Sequence, residues 1–199
     1  MRVAVTGGAA TGKSTVMCYL RDMGAAVVSA DDVARQVTAP GSALLAPLAR
    51  LAGSDVLESD GSLCRGRLAE RMFADADLRR AVEDLLHPPI IEAMERAAAA
   101  CAAKIVCFEI PLLIETGLQA RYDVVVLCRC GVGEQIRRLT RRLEGDMRMA
   151  RRIVASQVID SVRRPYADFV VMTNREPHLV KNRVHSIFAN LLRRSRVFG

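Results

Sequence analysis

Eight residues near the N-terminus constrain the fold of this chain more than any other segment. They fit the pattern G-x-x-x-x-G-K-[ST] and read Gly7-Gly8-Ala9-Ala10-Thr11-Gly12-Lys13-Ser14. Glycines in this pattern let the backbone curl so that several amides face phosphate oxygens, and the following helix adds its positive N-terminal end. An apolar run precedes the segment and a helical pattern follows it, as that mechanism requires. The segment therefore predicts a nucleotide-phosphate loop; the alternative is a glycine-rich turn that fits by chance.

The rest of the chain alternates short apolar runs with helical patterns, which is typical of a parallel sheet covered by helices. One helix is predicted from Lys13 to Met23 and another from near Pro177. The apolar runs predict five strands, each buried on both faces: Val3–Thr6, Ala26–Ser29, Ile105–Phe108, Val124–Cys128 and Phe169–Met172. Together with the phosphate loop, this order predicts an α/β, three-layer P-loop NTPase fold with a five-stranded parallel sheet.

Two segments interrupt the alternation. No strand pattern is evident over about 33–103 and helical patterns dominate there, which predicts a helical insertion. The polar, arginine-dense segment at about 137–162 predicts a mobile lid. We therefore expect a single domain, whose core comprises about 1–32, 104–136 and 163–199.

The net charge of +7 suits polyanionic partners, although an arginine-biased, solvated surface would give the same balance. The six cysteines form no Cys-x-x-Cys pair, so we expect reduced thiols in a cytoplasmic protein. No targeting segment is evident at the N-terminus. The apolar run 105–114 is broken by Glu109 and Pro111 and is too short to span a bilayer, so we expect no membrane partner.

Phosphate-loop chemistry assigns a first set of roles. Lys13 is expected to reach the β- and γ-phosphates of ATP, and the Ser14 hydroxyl to bind Mg²⁺. Asp31 follows the second predicted strand, where ligands of open α/β sheets bind, so it is placed to orient or deprotonate an attacking hydroxyl; alternatively it caps a helix. The predicted nucleotide contacts in the loop are Gly7, Gly8, Ala10, Thr11, Gly12, Lys13, Ser14 and Thr15.

Over nearly its whole length the chain resembles the dephospho-CoA kinase family. The phosphate loop is generic, whereas the segments Leu86-His87-Pro88 and Ile110-Pro111-Leu112-Leu113 with Glu115 are specific. Further matching positions are Ala30-Asp31, Ala34-Arg35, Asp60-Gly61-Ser62-Leu63, Arg65, Leu68, Phe73, Gln135, Arg138, Arg142, Gln157, Ala167-Asp168 and Asn174. Departures from the family pattern are Ser29, Leu143 and Arg163.

The resemblance implies transfer of the γ-phosphate of MgATP to the ribose 3′-hydroxyl of dephospho-CoA. It implies that Asp31 is the catalytic carboxylate, that Arg142 is a catalytic lid arginine near the nucleotide, and that Asn174 lies beside the adenine. The implied dephospho-CoA contacts are Asp31, Arg35, His87, Leu112 and Leu113. The helical insertion over about 33–103 is then expected to bind this acceptor.

Each implied role has a structural alternative. His87 precedes two prolines and could simply end a helix, and Leu112 and Leu113 could belong to the core. Arg142 could lie on a solvated helix face. Glu109 could hold Mg²⁺ through water or form an ordinary ion pair.

Two other functions fit parts of the sequence. One is another P-loop small-molecule kinase, of the nucleoside-monophosphate or shikimate type. The other is a basic nucleic-acid-binding module that uses ATP as a switch, but a chain with five Phe, three Tyr and no Trp supplies few stacking side chains. An Asn-Lys-x-Asp guanine reader is absent from the sequence, which argues against a GTPase. We therefore expect a kinase with no nucleic-acid partner, and favour a monomer.

Overall fold

The computed structural model describes residues 1–197, and its centre is a five-stranded parallel sheet with strand order β2-β3-β1-β4-β5. The number of strands, their direction and their positions confirm the sequence prediction to within one residue at each end. The strands are β1 (Arg2–Thr6), β2 (Ala26–Ser29), β3 (Val106–Glu109), β4 (Val124–Arg129) and β5 (Phe169–Met172).

Nine α-helices lie in the described part of the chain, and three short 3-10 turns accompany them. The first and last helices confirm the predicted starts at Lys13 and Pro177. The helices are α1 (Lys13–Asp22), α2 (Ala30–Val37), α3 (Leu45–Ala52), α4 (Arg65–Ala74), α5 (Ala76–Ala99), α6 (Val132–Arg142), α7 (Met147–Ala155), α8 (Asp160–Arg163) and α9 (Pro177–Val197). The turns span Ser54–Val56, Leu118–Arg121 and Arg164–Tyr166.

The chain divides into two compact units. The sheet unit comprises Met1–Ser29 and the described residues from Cys101 onward, and the helical unit comprises Ala30–Ala100. The predicted division of one domain into core, insertion and lid stays a prediction, and the last two residues of its core segment 163–199 lie outside the described residues.

The core of the sheet unit joins strands to the first and last helices. Apolar side chains of β1, β3 and β4 pack with α1 and with α9 in one cluster, which includes Val5, Val16, Leu20, Val126, Val184 and Leu191. Burial on both faces, predicted for all five strands, holds for β1, β3 and β4 but is wrong for β2 and β5. These two strands form the sheet edges, where each has a neighbour on one side only.

Two aspartates accept backbone hydrogen bonds where neighbouring strands begin. Asp123 Oδ2 accepts the Arg2 amide at 2.7 Å, where β1 and β4 start. Asp168 Oδ2 accepts the Val125 amide at 2.8 Å, while the Asp168 amide donates to the Val125 carbonyl at 2.9 Å. Asp168, one of the positions that match the family pattern, therefore helps to set the register between β4 and β5.

The helical unit has its own small core, which includes Leu48, Ala52, Val56, Leu68 and Val82. The matching segment Asp60-Gly61-Ser62 forms a tight turn in this unit. Asp60 Oδ1 accepts the Ser62 amide at 2.9 Å, and an antiparallel bridge pairs Leu57 with Leu63. The segment therefore has a structural use that the sequence analysis left open.

Helix α5 contradicts the alternative that His87 ends a helix. It begins at the cap Asp75, whose side chain accepts the amides of Asp77 and Leu78, and it continues through Pro88 and Pro89 to Ala99. Each proline removes one intrahelical N–H donor. The α5 residues Val82 and Met94, on either side of the prolines, are buried, so packing holds this helix despite the missing donors.

All six cysteines are free of disulfides, as the sequence predicted. Burial raises the pKa of the Cys107 and Cys128 thiols to about 12, so these two are inert core residues. Among residues 1–197, no helix combines the length and the apolar composition needed to cross a bilayer.

Candidate active site

The predicted phosphate loop connects β1 to α1 in the sheet unit. Gly7, its first residue, has φ +143°, and a Cβ there would lie 2.3 Å from the Cys128 carbonyl oxygen of β4. Only glycine combines this backbone with so close an approach of the neighbouring strand. The loop thus leaves the sheet in the conformation that the sequence pattern predicts.

Lys13 is the buried cation of the loop, with 8% of its surface exposed. Its Nζ donates to the Gly7 carbonyl at 3.0 Å and to the Gly8 carbonyl at 2.9 Å. The ammonium is therefore positioned by the backbone of the loop. Its charge can serve a polyphosphate there, where little surrounding water screens it.

Thr173, just after β5, binds the middle of the phosphate loop through hydrogen bonds. Its hydroxyl donates to the Thr11 carbonyl at 2.6 Å and accepts Arg138 Nη1 at 3.2 Å. Arg138 also donates to the Thr173 carbonyl at 2.8 Å and to the Ala10 carbonyl at 3.3 Å. Sequence reasoning missed Thr173, because a threonine after a strand carries no distinctive signal; Arg138 appeared only as a matching position without a role.

Helices α6 and α7 pack directly on the loop. Ala10, Leu139 and Ala150 form a buried apolar cluster, against which Ala9 and side chains of both helices lie. Gln157, two residues after α7, accepts the Ala9 amide on its Oε1 at 3.0 Å. The segment predicted as a lid therefore contacts the phosphate loop itself.

Glu134 at the start of α6 organises the arginines beside the loop. Its carboxylate accepts Arg137 at 2.7 Å and Arg138 Nε at 2.6 Å. The hydrogen bonds from Arg137, followed by those from Arg138, lower the pKa of Glu134 from 4.5 to about 2. The carboxylate thus remains ionised and holds Arg138 in its contact with the loop.

Ser14 and Glu109 supply the oxygen atoms that a divalent cation prefers. Ser14 Oγ donates to Glu109 Oε1 at 3.4 Å, which brings the start of α1 to the end of β3. Mg²⁺ commonly takes only one or two protein oxygens beside substrate phosphates and water. Within residues 1–197 no cluster of three or more His, Cys, Asp or Glu could hold a metal without such help. The Ser14–Glu109 pair fits a substrate-borne Mg²⁺.

In the helical unit, Asp31 is the second residue of α2, so it lies in the first turn rather than at the preceding cap position. Arg35 Nη1 lies 3.2 Å from Asp32 Oδ1 on the exposed surface of this helix. Arg65 donates to Thr38 Oγ1 at 2.8 Å, and its pKa is lowered by burial and by Arg35, while Asp31 opposes this. Arg65 therefore shares the electrostatic surroundings of Asp31 and Arg35.

The other predicted contacts differ in exposure. His87 is half-buried on α5, whereas Leu113 is fully buried and Leu112 is 45% exposed. Of the two leucines, only Leu112 therefore offers an accessible apolar surface. Arg142 is exposed at the last position of α6. Asn174 is exposed next to Thr173, which contacts the loop.

Arg163, a departure from the family pattern, is the most buried arginine near this site, with 3% of its surface exposed. Its Nη2 donates to Glu115 Oε1 at 2.5 Å, and its Nη1 lies 3.9 Å from Asp160 Oδ1. Asp160 in turn accepts a hydrogen bond from Arg129 Nε at 2.6 Å. The network joins the loop after β3 to α8 and to the end of β4.

Comparison with known proteins identifies the relatives of the chain. The sequence model of the family described as dephospho-CoA kinase matches residues 1–178. A dephospho-CoA kinase of Corynebacterium glutamicum is 39% identical over 177 residues, which cover 87% of this chain and 88% of the relative. TT1252 of Thermus thermophilus, a crystal structure, is similar with a TM-score of 0.82 and 26% identity, covering 96% and 97% of the two chains. A dephospho-CoA kinase of Campylobacter jejuni shares the fold, with a TM-score of 0.66, 20% identity and 96% coverage of both chains.

Proposed function

The chain belongs to the dephospho-CoA kinase family, and on this premise we propose that it transfers the γ-phosphate of ATP to the ribose 3′-hydroxyl of dephospho-CoA. The products are coenzyme A and ADP, so the reaction is the final step of coenzyme A synthesis. The observation that carries the proposal is the family match over residues 1–178, which includes the loop that holds Lys13.

The sheet unit supplies the nucleotide side of the reaction. Amides of the loop and the Lys13 ammonium bind the phosphates of ATP and offset the negative charge that develops on the departing ADP. Arg142 neutralises charge on the transferring group, and Asn174 contacts the adenine. The proposed role of Arg142 is supported by its place at the end of α6. Arg138, one turn earlier in the same helix, contacts the phosphate loop.

Mg²⁺ is proposed as the accompanying cation, and Ser14 with Glu109 would hold it. When bound, the ion would supply positive charge that offsets the charge of the phosphates. Glu109 orients the Ser14 hydroxyl through their contact of 3.4 Å, which keeps the serine at the phosphate end of α1.

Asp31 is proposed as the residue that orients the 3′-hydroxyl and accepts its proton during the attack. Its place in the first turn of α2, directly after β2, supports this role. Arg35 binds the anionic part of dephospho-CoA. His87 and Leu112 contact its remaining parts, and the fully buried Leu113 contributes indirectly by its packing in the chain segment after β3.

The family match favours this function over another small-molecule kinase and over a nucleic-acid module. The cytoplasmic location, the monomeric state and the lack of a nucleic-acid partner are part of the proposal. The net charge of +7 is consistent with two polyanionic substrates.

The test is an incubation of the purified protein with MgATP and dephospho-CoA, with the product identified by mass. We expect coenzyme A and equimolar ADP. Dephospho-CoA with a 3′-deoxyribose should give no product, and shikimate and nucleoside monophosphates should remain unmodified. Phosphorylation of one of these other acceptors, with none of dephospho-CoA, would falsify the proposal.

A further inference from the structure

One peptide group of the phosphate loop is held at both of its polar atoms. In the peptide that joins Gly8 to Ala9, the carbonyl oxygen accepts Lys13 Nζ at 2.9 Å and Thr11 Oγ1 at 2.8 Å. The N–H of the same peptide donates to Gln157 Oε1 at 3.0 Å. Because a peptide group is planar and rigid, a contact that fixes its N–H also fixes the direction of its carbonyl.

The Gln157 side chain is itself held in place. Gln135 Nε2 donates to Gln157 Oε1 at 3.0 Å, and Gln135 is a buried residue of α6. The two amides leave no room beside the loop: a Cβ on Gly8 would lie 2.4 Å from Gln157 Oε1 and 2.6 Å from Gln135 Nε2. A larger residue at position 8 would have to displace both amide groups, so Gly8 is compatible with this arrangement.

We propose that Gln157 is a positioning residue that acts on the reaction through Lys13. Gln157 holds the Gly8–Ala9 peptide, and the carbonyl of this peptide holds the Lys13 ammonium where a nucleotide's β- and γ-phosphates bind. Gln157 itself touches no reacting atom in this scheme. The inference rests on the proposed function only through the nucleotide site, and it does not depend on which acceptor is phosphorylated.

Two substitutions of similar size distinguish the effect of the acceptor oxygen of Gln157 from the effect of its side-chain bulk. Gln157→Met removes the oxygen that accepts the Ala9 amide, whereas Gln157→Glu keeps an acceptor of the same reach. We expect the Ala9 amide of the nucleotide-free protein to exchange slowly with solvent in the wild type and in Gln157→Glu, and faster in Gln157→Met. The matched control is Gln36→Met, which changes an exposed glutamine of the helical unit.

The functional measurement is the affinity for MgATP by calorimetry, without any acceptor. The loss of one hydrogen bond that positions Lys13 should weaken binding about three- to tenfold in Gln157→Met and leave Gln36→Met unchanged. In a Lys13→Ala background the Gln157→Met substitution should have no further effect, because its route to the phosphates has been removed.

Three results would overturn the proposal. They are an unchanged MgATP affinity in Gln157→Met, an equal loss with and without Lys13, and equally fast exchange of the Ala9 amide in the Met and Glu variants. The second result would mean that Gln157 only supports the packing of α7. Failure of the wild type to phosphorylate dephospho-CoA would instead contradict the proposed function, and the calorimetric result would stand.

Discussion

Lys13 combines two properties that usually exclude each other, burial and positive charge. Buried cations need partners, and here the carbonyls of Gly7 and Gly8 accept hydrogen bonds from the ammonium. Because a carbonyl carries no net charge, these two contacts position the lysine without neutralising it. The backbone positions the lysine before any phosphate arrives, so little reorganisation is needed during the reaction.

At this scale we predict that Lys13→Ala lowers kcat by about 10²–10³-fold, the usual cost of losing one preorganised charge-stabilising donor. The fold should remain, because the alanine leaves the apolar cores of both units intact. Coenzyme A formation measured beside circular dichroism tests this. A variant that is inactive because it is unfolded would show instead that Lys13 is mainly structural.

Asp31→Asn should lower kcat by about 10²–10⁴-fold, because the amide cannot accept the proton of the attacking hydroxyl. The KM for ATP should stay near its wild-type value, since the change does not touch the phosphate loop. The matched control is Asp32→Asn, which alters the adjacent exposed carboxylate. Equal losses in kcat and in ATP binding would assign Asp31 a binding role.

At the scale of elements, the start of α6 is joined to the loop by Glu134 and Arg138. A folded-state pKa of about 2, below the ordinary 4.5, means that the folded protein favours the ionised form. The resulting stabilisation is fully present above pH 4.5 and is lost as the pH falls towards 2.

We therefore predict that the difference in free energy of unfolding between wild type and Glu134→Gln is constant above pH 4.5 and shrinks between 4.5 and 2. The difference should not exceed about 1 kcal/mol, because these ion pairs are partly exposed. Urea unfolding of both proteins over this pH range measures it. A difference that grows on acidification would reverse the assigned direction of the pKa shift.

The contact between the loop after β3 and α8 depends on Glu115 and the buried Arg163. Glu115→Gln should destabilise the protein by about 2–3 kcal/mol, because it leaves Arg163 with a poorly compensated charge. The double variant Glu115→Gln/Arg163→Met should recover most of this loss, since it also removes the buried charge. Urea unfolding tests both, and additive losses would contradict the explanation.

At the scale of the whole molecule, a kinase must transfer phosphate to its acceptor rather than to water. Closure of the segment predicted as a lid, about 137–162, would exclude water from the bound phosphates. We therefore predict that ADP release without dephospho-CoA is a small fraction of the rate with it. A coupled ADP assay with and without acceptor measures this ratio. Similar rates in both cases would mean that water enters the site freely and that the segment 137–162 has no closing role.

The sequence by itself determined the five strands, the first and last helices and the phosphate loop. The strands were predictable because runs such as Val124–Cys128 are apolar without helical spacing, and buried parallel strands have that composition. The phosphate loop was predictable because its chemistry depends on the backbone of consecutive residues, from Gly7 to Ser14. The resemblance to the family added the acceptor and the remaining roles, which stay predictions until they are measured.

Only the tertiary structure decided which side chains serve the loop. Thr173 binds Thr11 across 162 residues of sequence, and Gln157 binds Ala9 across 148. Such contacts follow from the strand order β2-β3-β1-β4-β5, which places β4 beside β1 and β5 beside β4. Local sequence patterns record which residues are apolar and where the chain turns. They do not record which distant polar atoms meet once the sheet has assembled, because that depends on the packing of the whole unit.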